Sequence, residues 1–151
     1  MKIYLAGPIS GCDWSGATEW RKQAELLLEQ HGLVAYSPLR LKDFLTGSTD
    51  LSYTQVDKTH PLTTSRGIMT RDFNDCITAS ALLINFTGVK VLSAGTAMEL
   101  AWAYDRHIPV VVVCEEDNPH LQHPMIREAI DFHVTTLEAG VELVRTIILS
   151  D

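Results

Sequence analysis

Four stretches of this chain carry residues whose types and spacing could do chemistry. In Ser93-Ala94-Gly95-Thr96-Ala97-Met98-Glu99-Leu100-Ala101-Trp102-Ala103 a carboxylate stands in the first turns of a helix opened by small and hydroxyl residues. Glu99 there fits two roles, a partner of the helix dipole or a nucleophile facing a crevice. Ser93, Gly95 and Thr96 suit an oxyanion at a helix N-terminus, and Ser93 or Thr96 equally suits a cap. In Tyr4-x-x-Gly7-Pro8-x-Ser10-Gly11 the glycines let a ligand approach the backbone, and exposed N–H groups could bind an anion or hydroxyls. A tight strand-to-helix turn would need the same residues, and the spacing is not the G-x-G-x-x-G of a dinucleotide site. Asp72 and Asp75 lie one helical turn apart behind Arg71. Carboxyls that close can keep a proton at neutral pH and act as an acid, or be solvated charges paired with Arg66 or Arg71. His120 and His123 have the spacing of metal ligands, but no Cys, Asp or Glu set completes a site, so no metal and no cofactor is expected.

The elements that must position these groups alternate in type. Apolar runs at 2–6, 33–36, 81–86, 110–114 and 132–134 read as strands. Helices are expected at 15–31, 66–80, from the Glu99 stretch to 106, near 124–131 and at 137–149. Trp20, Ala24, Leu27, Leu28 and His31 share one face of the first, which Gly32 would stop. Ala97, Leu100, Ala101 and Tyr104 are the expected packing face of the Glu99 helix. The unbroken valines after Pro109 point to a strand buried on both faces. Residues 39–65 have no sustained period; they read as an active-site lid with a short helix at 41–45, the other option being a tolerated surface insertion. The pattern predicts an α/β fold: a flavodoxin-like or Rossmann-like, doubly wound, five-stranded parallel sheet of order 2-1-3-4-5. Its switch point between strands 1 and 3 would gather the Gly7–Gly11 turn, the loop after Phe86 and the start of the Glu99 helix.

Bulk properties bound the function. At 151 residues, 46% hydrophobic and 21% charged, the chain is expected to form one domain over residues 1–151 with a full core. A formal charge of −7 argues against a nucleic-acid partner, whose phosphates need a basic surface, but leaves room for a small nucleotide in a local pocket. Three scattered cysteines (Cys12, Cys76, Cys114) form no disulfide framework, which fits a reducing cytoplasm. The first residues lack the apolar core of a signal peptide, and no run reaches the ~18 residues of a membrane span.

Together, Met1-Lys2-Ile3-Tyr4-Leu5-Ala6-Gly7-Pro8-Ile9-Ser10-Gly11, Arg66-Gly67-Ile68-Met69-Thr70-Arg71-Asp72 and the Ser93–Ala103 stretch resemble the nucleoside 2-deoxyribosyltransferase family, most of all its phage and bacterial branch, across nearly the whole chain. The resemblance implies cleavage of the N-glycosidic bond of a 2′-deoxynucleoside and transfer of the sugar to another nucleobase. By motif, Glu99 matches the family nucleophile that forms a covalent deoxyribosyl-enzyme. Asp72 matches the aspartate at the leaving base, and Tyr4 a tyrosine near the nucleophile. The Gly7–Gly11 turn would lie under the sugar or its 5′ end. The family's sites are shared between subunits, which implies a homo-oligomer, with His123 reaching a neighbour's substrate. Two features depart: the C-terminal aromatic tail that some members place in a neighbour's site is not visible in Leu149-Ser150-Asp151, and where the transferases carry an acidic residue six places before the nucleophile this chain has Ser93. The related deoxynucleoside 5′-monophosphate N-glycosidases carry a serine there, which keeps a hydrolase open as an alternative. A non-catalytic nucleotide-binding module is the third.

Overall fold

The computed structural model describes residues 1–51 and 60–149. Five strands, β1 (Lys2–Ala6), β2 (Val34–Tyr36), β3 (Ala81–Asn85), β4 (Val110–Val113) and β5 (Phe132–Val134), form one sheet. Its order is β2-β1-β3-β4-β5, and every neighbouring pair is parallel. The expected order and doubly wound class are both present. Four α-helices connect the strands, α1 (Trp14–Glu29), α2 (Ser65–Ile77), α3 (Ala94–Asp105) and α4 (Pro124–Glu128), and a fifth, α5 (Leu137–Leu149), follows β5.

Strand alternation decides which chemistry can meet. Ile3 and Leu5 face α1 and α5, in a cluster with Ala24, Leu28, Leu83, Val111, Val141 and Val144. Tyr4 and Ala6 therefore face the other way, into a cluster with Leu82, Ile84, Cys76, Leu100 and Ala103 under α2 and α3. All four β4 valines are buried, as a strand covered on both faces requires. Each long helix has a side-chain start signal. Asp13 accepts from the Gly16 N–H at 2.7 Å, Thr64 from Gly67 at 3.0 Å and Ser93 from Thr96 at 3.1 Å. The end of α1 is closed by Gly32 at φ +70°. There the Leu33 N–H donates to the Leu28 carbonyl and the Gly32 N–H to Glu29, the pair of bonds a left-handed stop supplies.

Two packing expectations need correction. The inward face of α3 is Thr96, Glu99, Leu100 and Ala103, while Ala101 and Tyr104 are exposed. The helix is rotated by one position because Glu99 is drawn inward. The buried face of α1 is Ala17, Thr18, Arg21, Ala24 and Leu28; Trp20 and Leu27 are half-buried and His31 is exposed.

The segment expected as a lid is described on both sides of residues 52–59, which lie outside the described residues. Its short helix is a 3₁₀ turn at Asp43–Leu45, and a second lies at Pro61–Thr63. Leu39, Leu45 and Leu51 pack on Ala17 in a small cluster of their own. The stretch is tied down by Trp14 N–H to the Ser48 carbonyl and Leu51 N–H to the Cys12 carbonyl, both 2.9 Å. Arg71 adds Nη1 to the Arg40 carbonyl at 2.9 Å and Nη2 to the Pro38 carbonyl at 2.6 Å. Residues 38–51 form a packed wall, organised by turns rather than by a helical or strand period.

Candidate functional site

Parallel strands with right-handed crossovers leave a crevice at their C-terminal edge where the chain order reverses. Here a cleft opens at the C-terminal ends of β1 and β3. Gly7, Ser10, Asp72, Ser93, Gly95 and Glu99 all line it. Six of the expected residues, distant in sequence, therefore share one space. Pro8 and Gly11 border an adjoining shallow groove with residues 88–94. Asp75 is buried and ion-paired with Arg40, away from the cleft lining. His123 is exposed between the third 3₁₀ turn, Pro119–Gln122, and α4.

Tyr4 is fully buried in β1. Its hydroxyl donates to Glu99 Oε1 at 2.7 Å, a bond made possible because strand alternation aims Tyr4 at α3. Glu99 is 7% exposed. Burial, reinforced by the Asp72 charge, pushes its carboxyl up from 4.5 to about 7, against the opposing pull of the Tyr4 hydrogen bond, Arg21 and Lys42. The Tyr4 phenol is moved well above its ordinary range by burial and then by Glu99, so it acts as a donor. Among the described residues Glu99 Oε2 carries no hydrogen bond, which leaves one oxygen held and one available.

Asp72 projects from α2. Arg71 grips its Oδ1 with Nε at 3.0 Å and Nη2 at 2.9 Å. Burial still moves the Asp72 carboxyl upward, with Arg71 and Lys42 opposing and Asp75 adding to the rise. Asp72 and Asp75 are thus buried, and each has its own arginine. Ser93 is the cap of α3: its Oγ accepts from the Thr96 backbone N–H and lies 2.7 Å from Thr96 Oγ1. Capping and lining the cleft are compatible, because a capping hydroxyl still carries a proton to donate. Gly7 adopts φ +151°, and a Cβ there would come within 2.9 Å of the Asn85 carbonyl. That position needs glycine for β1 and β3 to open this close together.

Sequence reasoning missed two basic residues. Arg21, on α1, is 3% exposed. Its Nη2 donates to the Gly7 carbonyl at 2.8 Å, its Nε to Leu5 at 3.4 Å and its Nη1 to Ala17. Its guanidinium carbon lies 4.4 Å from the Trp20 ring centroid. Burial lowers it to about 10, with Glu99 the main group holding it up. The signal available was the spacing of Ala17, Arg21, Ala24 and Leu28, a clean helical stripe with one charge in it. Lys42, in the expected lid, lines the cleft and is 8% exposed. No sequence pattern distinguishes it from a solvated lysine. His120 is buried against Phe86, with ring centroids 4.6 Å apart, and among the described residues its Nε2 has no hydrogen-bond partner; it packs the β3–α3 side and does not line the cleft.

In the described residues no helix is long and apolar enough to cross a membrane. The sequence pattern of the nucleoside 2-deoxyribosyltransferases matches residues 3–143. No curated protein sequence gives a significant match. Three solved structures share the fold at low identity. A conserved protein from Enterococcus faecalis V583 is 20% identical, with TM-score 0.66 over 97% of this chain and 98% of that one. A 2-deoxyribosyltransferase from Bacillus psychrosaccharolyticus is 19% identical, with TM-score 0.62 over 92% and 89%. A CMP N-glycosidase from Clostridium botulinum is 12% identical, with TM-score 0.55 over 99% and 98%.

Proposed function

The chain belongs to the nucleoside 2-deoxyribosyltransferase family, and on that premise we propose that it moves 2-deoxyribose between nucleobases through an ester formed on Glu99. The observation that carries this reading is the buried Tyr4–Glu99 pair in the cleft. Tyr4 fixes one carboxylate oxygen and leaves Oε2 to attack the anomeric carbon. The C1′–N bond breaks, its electron pair goes to the base nitrogen, and Asp72 supplies the proton that makes the base a neutral leaving group. A second base, giving its N–H proton to Asp72, then attacks C1′ and releases the Glu99 carboxylate. Two inversions give net retention, as in retaining glycosidases. A carboxyl near 7 leaves a substantial ionised fraction at neutral pH, and its carboxylate is more basic, hence a stronger nucleophile, than one near 4.5. Exposed His123, off its own cleft, fits service to a neighbouring copy's sugar in a homo-oligomer; a monomeric mass by light scattering would remove that role.

Ser93 favours a second reading, release of the base from a deoxynucleoside 5′-monophosphate by water. A capping serine at the α3 N-terminus accommodates a phosphate that a carboxylate would repel. One experiment separates the two: 2′-deoxyinosine or its 5′-monophosphate, each with and without adenine, followed by chromatography. Formation of 2′-deoxyadenosine supports transfer, and free hypoxanthine with deoxyribose 5-phosphate supports hydrolysis. Full turnover by Glu99→Ala would refute both.

A further inference from the structure

We propose that Lys42 selects the leaving base: its ammonium binds the exocyclic carbonyl oxygen of an oxo-nucleobase while Asp72 engages the neighbouring ring nitrogen, so that 6-oxopurines are preferred over 6-aminopurines. The proposal rests on the glycosyl-transfer reading of the cleft and adds a substrate class to it.

Lys42 is more than nine-tenths buried and lines the cleft with Asp72 and Glu99. Among the described residues its side chain makes no hydrogen bond and no ion pair. A lysine ammonium carries three donors and no acceptor, and here a mostly buried stem brings those donors to the cleft, where a ligand can supply the acceptors. The chain also holds it there at a local cost. Leu41, the preceding residue, sits at φ +66° with its side chain half in solvent, an arrangement leucine rarely adopts. That turn places an apolar residue outward and the charged one inward, the reverse of ordinary partition.

The opposite charge acting most strongly on Lys42 is Asp72, and Lys42 in turn pulls the Asp72 carboxyl down. The two groups act on each other through space and line the same cleft, and among the described residues no hydrogen bond or ion pair joins them. Arg71 occupies Asp72 Oδ1, so Oδ2 is the oxygen available to a base. On the general-acid reading above, it is Oδ2 that hands its proton to the ring nitrogen. The edge that fits two donors is one with two adjacent acceptors. Hypoxanthine and guanine present O6 and N7 in that way, whereas adenine presents N7 beside an N6 amino group. Adenine would set two hydrogens against the ammonium. Phe44, Leu45 and Leu51, from the same segment as Lys42, add apolar wall for a flat ring.

The test measures binding of free hypoxanthine and free adenine to the full chain by calorimetry, alongside kcat/KM for 2′-deoxyinosine and 2′-deoxyadenosine, in wild type, Lys42→Met and Lys42→Arg. Wild type is expected to bind hypoxanthine more tightly than adenine. Lys42→Met should cut that preference about 10- to 100-fold, the worth of a charged hydrogen bond, and Lys42→Arg should restore part of it. A cooperative thermal transition of Lys42→Met close to that of wild type shows that the variant folds. Equal binding of the two bases by wild type, or equal weakening of both in Lys42→Met, overturns the proposal. Base binding is read without turnover, so an inactive chain that still discriminates the bases would refute the transfer reading and leave base selection standing.

Discussion

Replacing Glu99 by glutamine should make this protein more stable, by an amount that depends on pH. Glu99 is nearly isosteric with Gln, and Gln keeps an oxygen for the Tyr4 hydroxyl. What changes is the buried charge. The Glu99 carboxyl rises from 4.5 in the open chain to about 7 in the fold, with burial the first cause and Asp72 reinforcing it. Cys76 Sγ also contacts the Glu99 carbonyl at 3.2 Å; Arg21, Lys42 and Tyr4 oppose the rise without cancelling it. Between those two values the native state binds more protons than the unfolded chain, so native stability falls as pH rises through the window. Each pH unit carries about 1.4 kcal/mol, so at pH 8 the ionised carboxylate destabilises the fold by about 3 kcal/mol relative to its neutral form. Glu99→Gln removes that term. It should match wild type at pH 4 and exceed it by about 3 kcal/mol at pH 8, roughly 6–12 °C in Tm for a domain of this size. Urea denaturation at pH 4, 6 and 8, followed by circular dichroism, measures the difference; carboxylates remote from Glu99 titrate alike in both proteins and drop out. Activity should be lost throughout. A stability difference that is the same at all three pH values, or a variant weaker than wild type at pH 8, would refute the picture of a desolvated nucleophile.

Other perturbations have defined outcomes. Tyr4→Phe removes the 2.7 Å bond to the Glu99 carboxylate. At about 1.5–3 kcal/mol for a charged acceptor, the ascending limb of kcat/KM should move up by about one to two pH units, read from a pH–rate profile between 5 and 9. Arg21→Met leaves the Leu5, Gly7 and Ala17 carbonyls without their donor and strips a favourable charge from Glu99. Stability should fall by about 2–4 kcal/mol in urea titration, with the same limb displaced upward, whereas a purely structural role would leave the limb in place. Gly67→Ala would drive a Cβ to 1.9 Å from the Pro61 carbonyl oxygen and 2.7 Å from Leu62 Cα. Backbone cannot yield cheaply there, so a loss of about 3 kcal/mol or more is expected. Because Thr63 in that turn lines the cleft, KM should rise as well.

What could be read from the chain, and what could not, follows from how each residue obtains its position. Tyr4, Gly7 and Glu99 were legible because regular elements place them. A strand of period two fixes the face of Tyr4, and parallel topology carries the ends of β1 and β3 to one edge. The face of α3 was misassigned by one position because alanines lie all around that helix. With no polar stripe to exclude, hydrophobic periodicity cannot choose between Ala97–Ala101 and Thr96–Ala103, and only the Tyr4 hydroxyl, supplied by another element, breaks the tie. Arg21 shows the complementary failure. It occupies a core position of α1 because three backbone carbonyls converge on it, and a count of apolar residues discards any stripe with a charge in it. Lys42 was beyond reach for a different reason. Its burial is set by Leu41 at positive φ and by long-range ties from Arg71, Trp14 and Leu51, none of which has a period or a local motif. The two residues that sequence patterns pass over are both cations within electrostatic reach of Glu99 and Asp72. In a chain of net charge −7, burying positive charge beside the reacting carboxylates keeps them usable near neutral pH, and that need explains why these cations sit where composition argues against them.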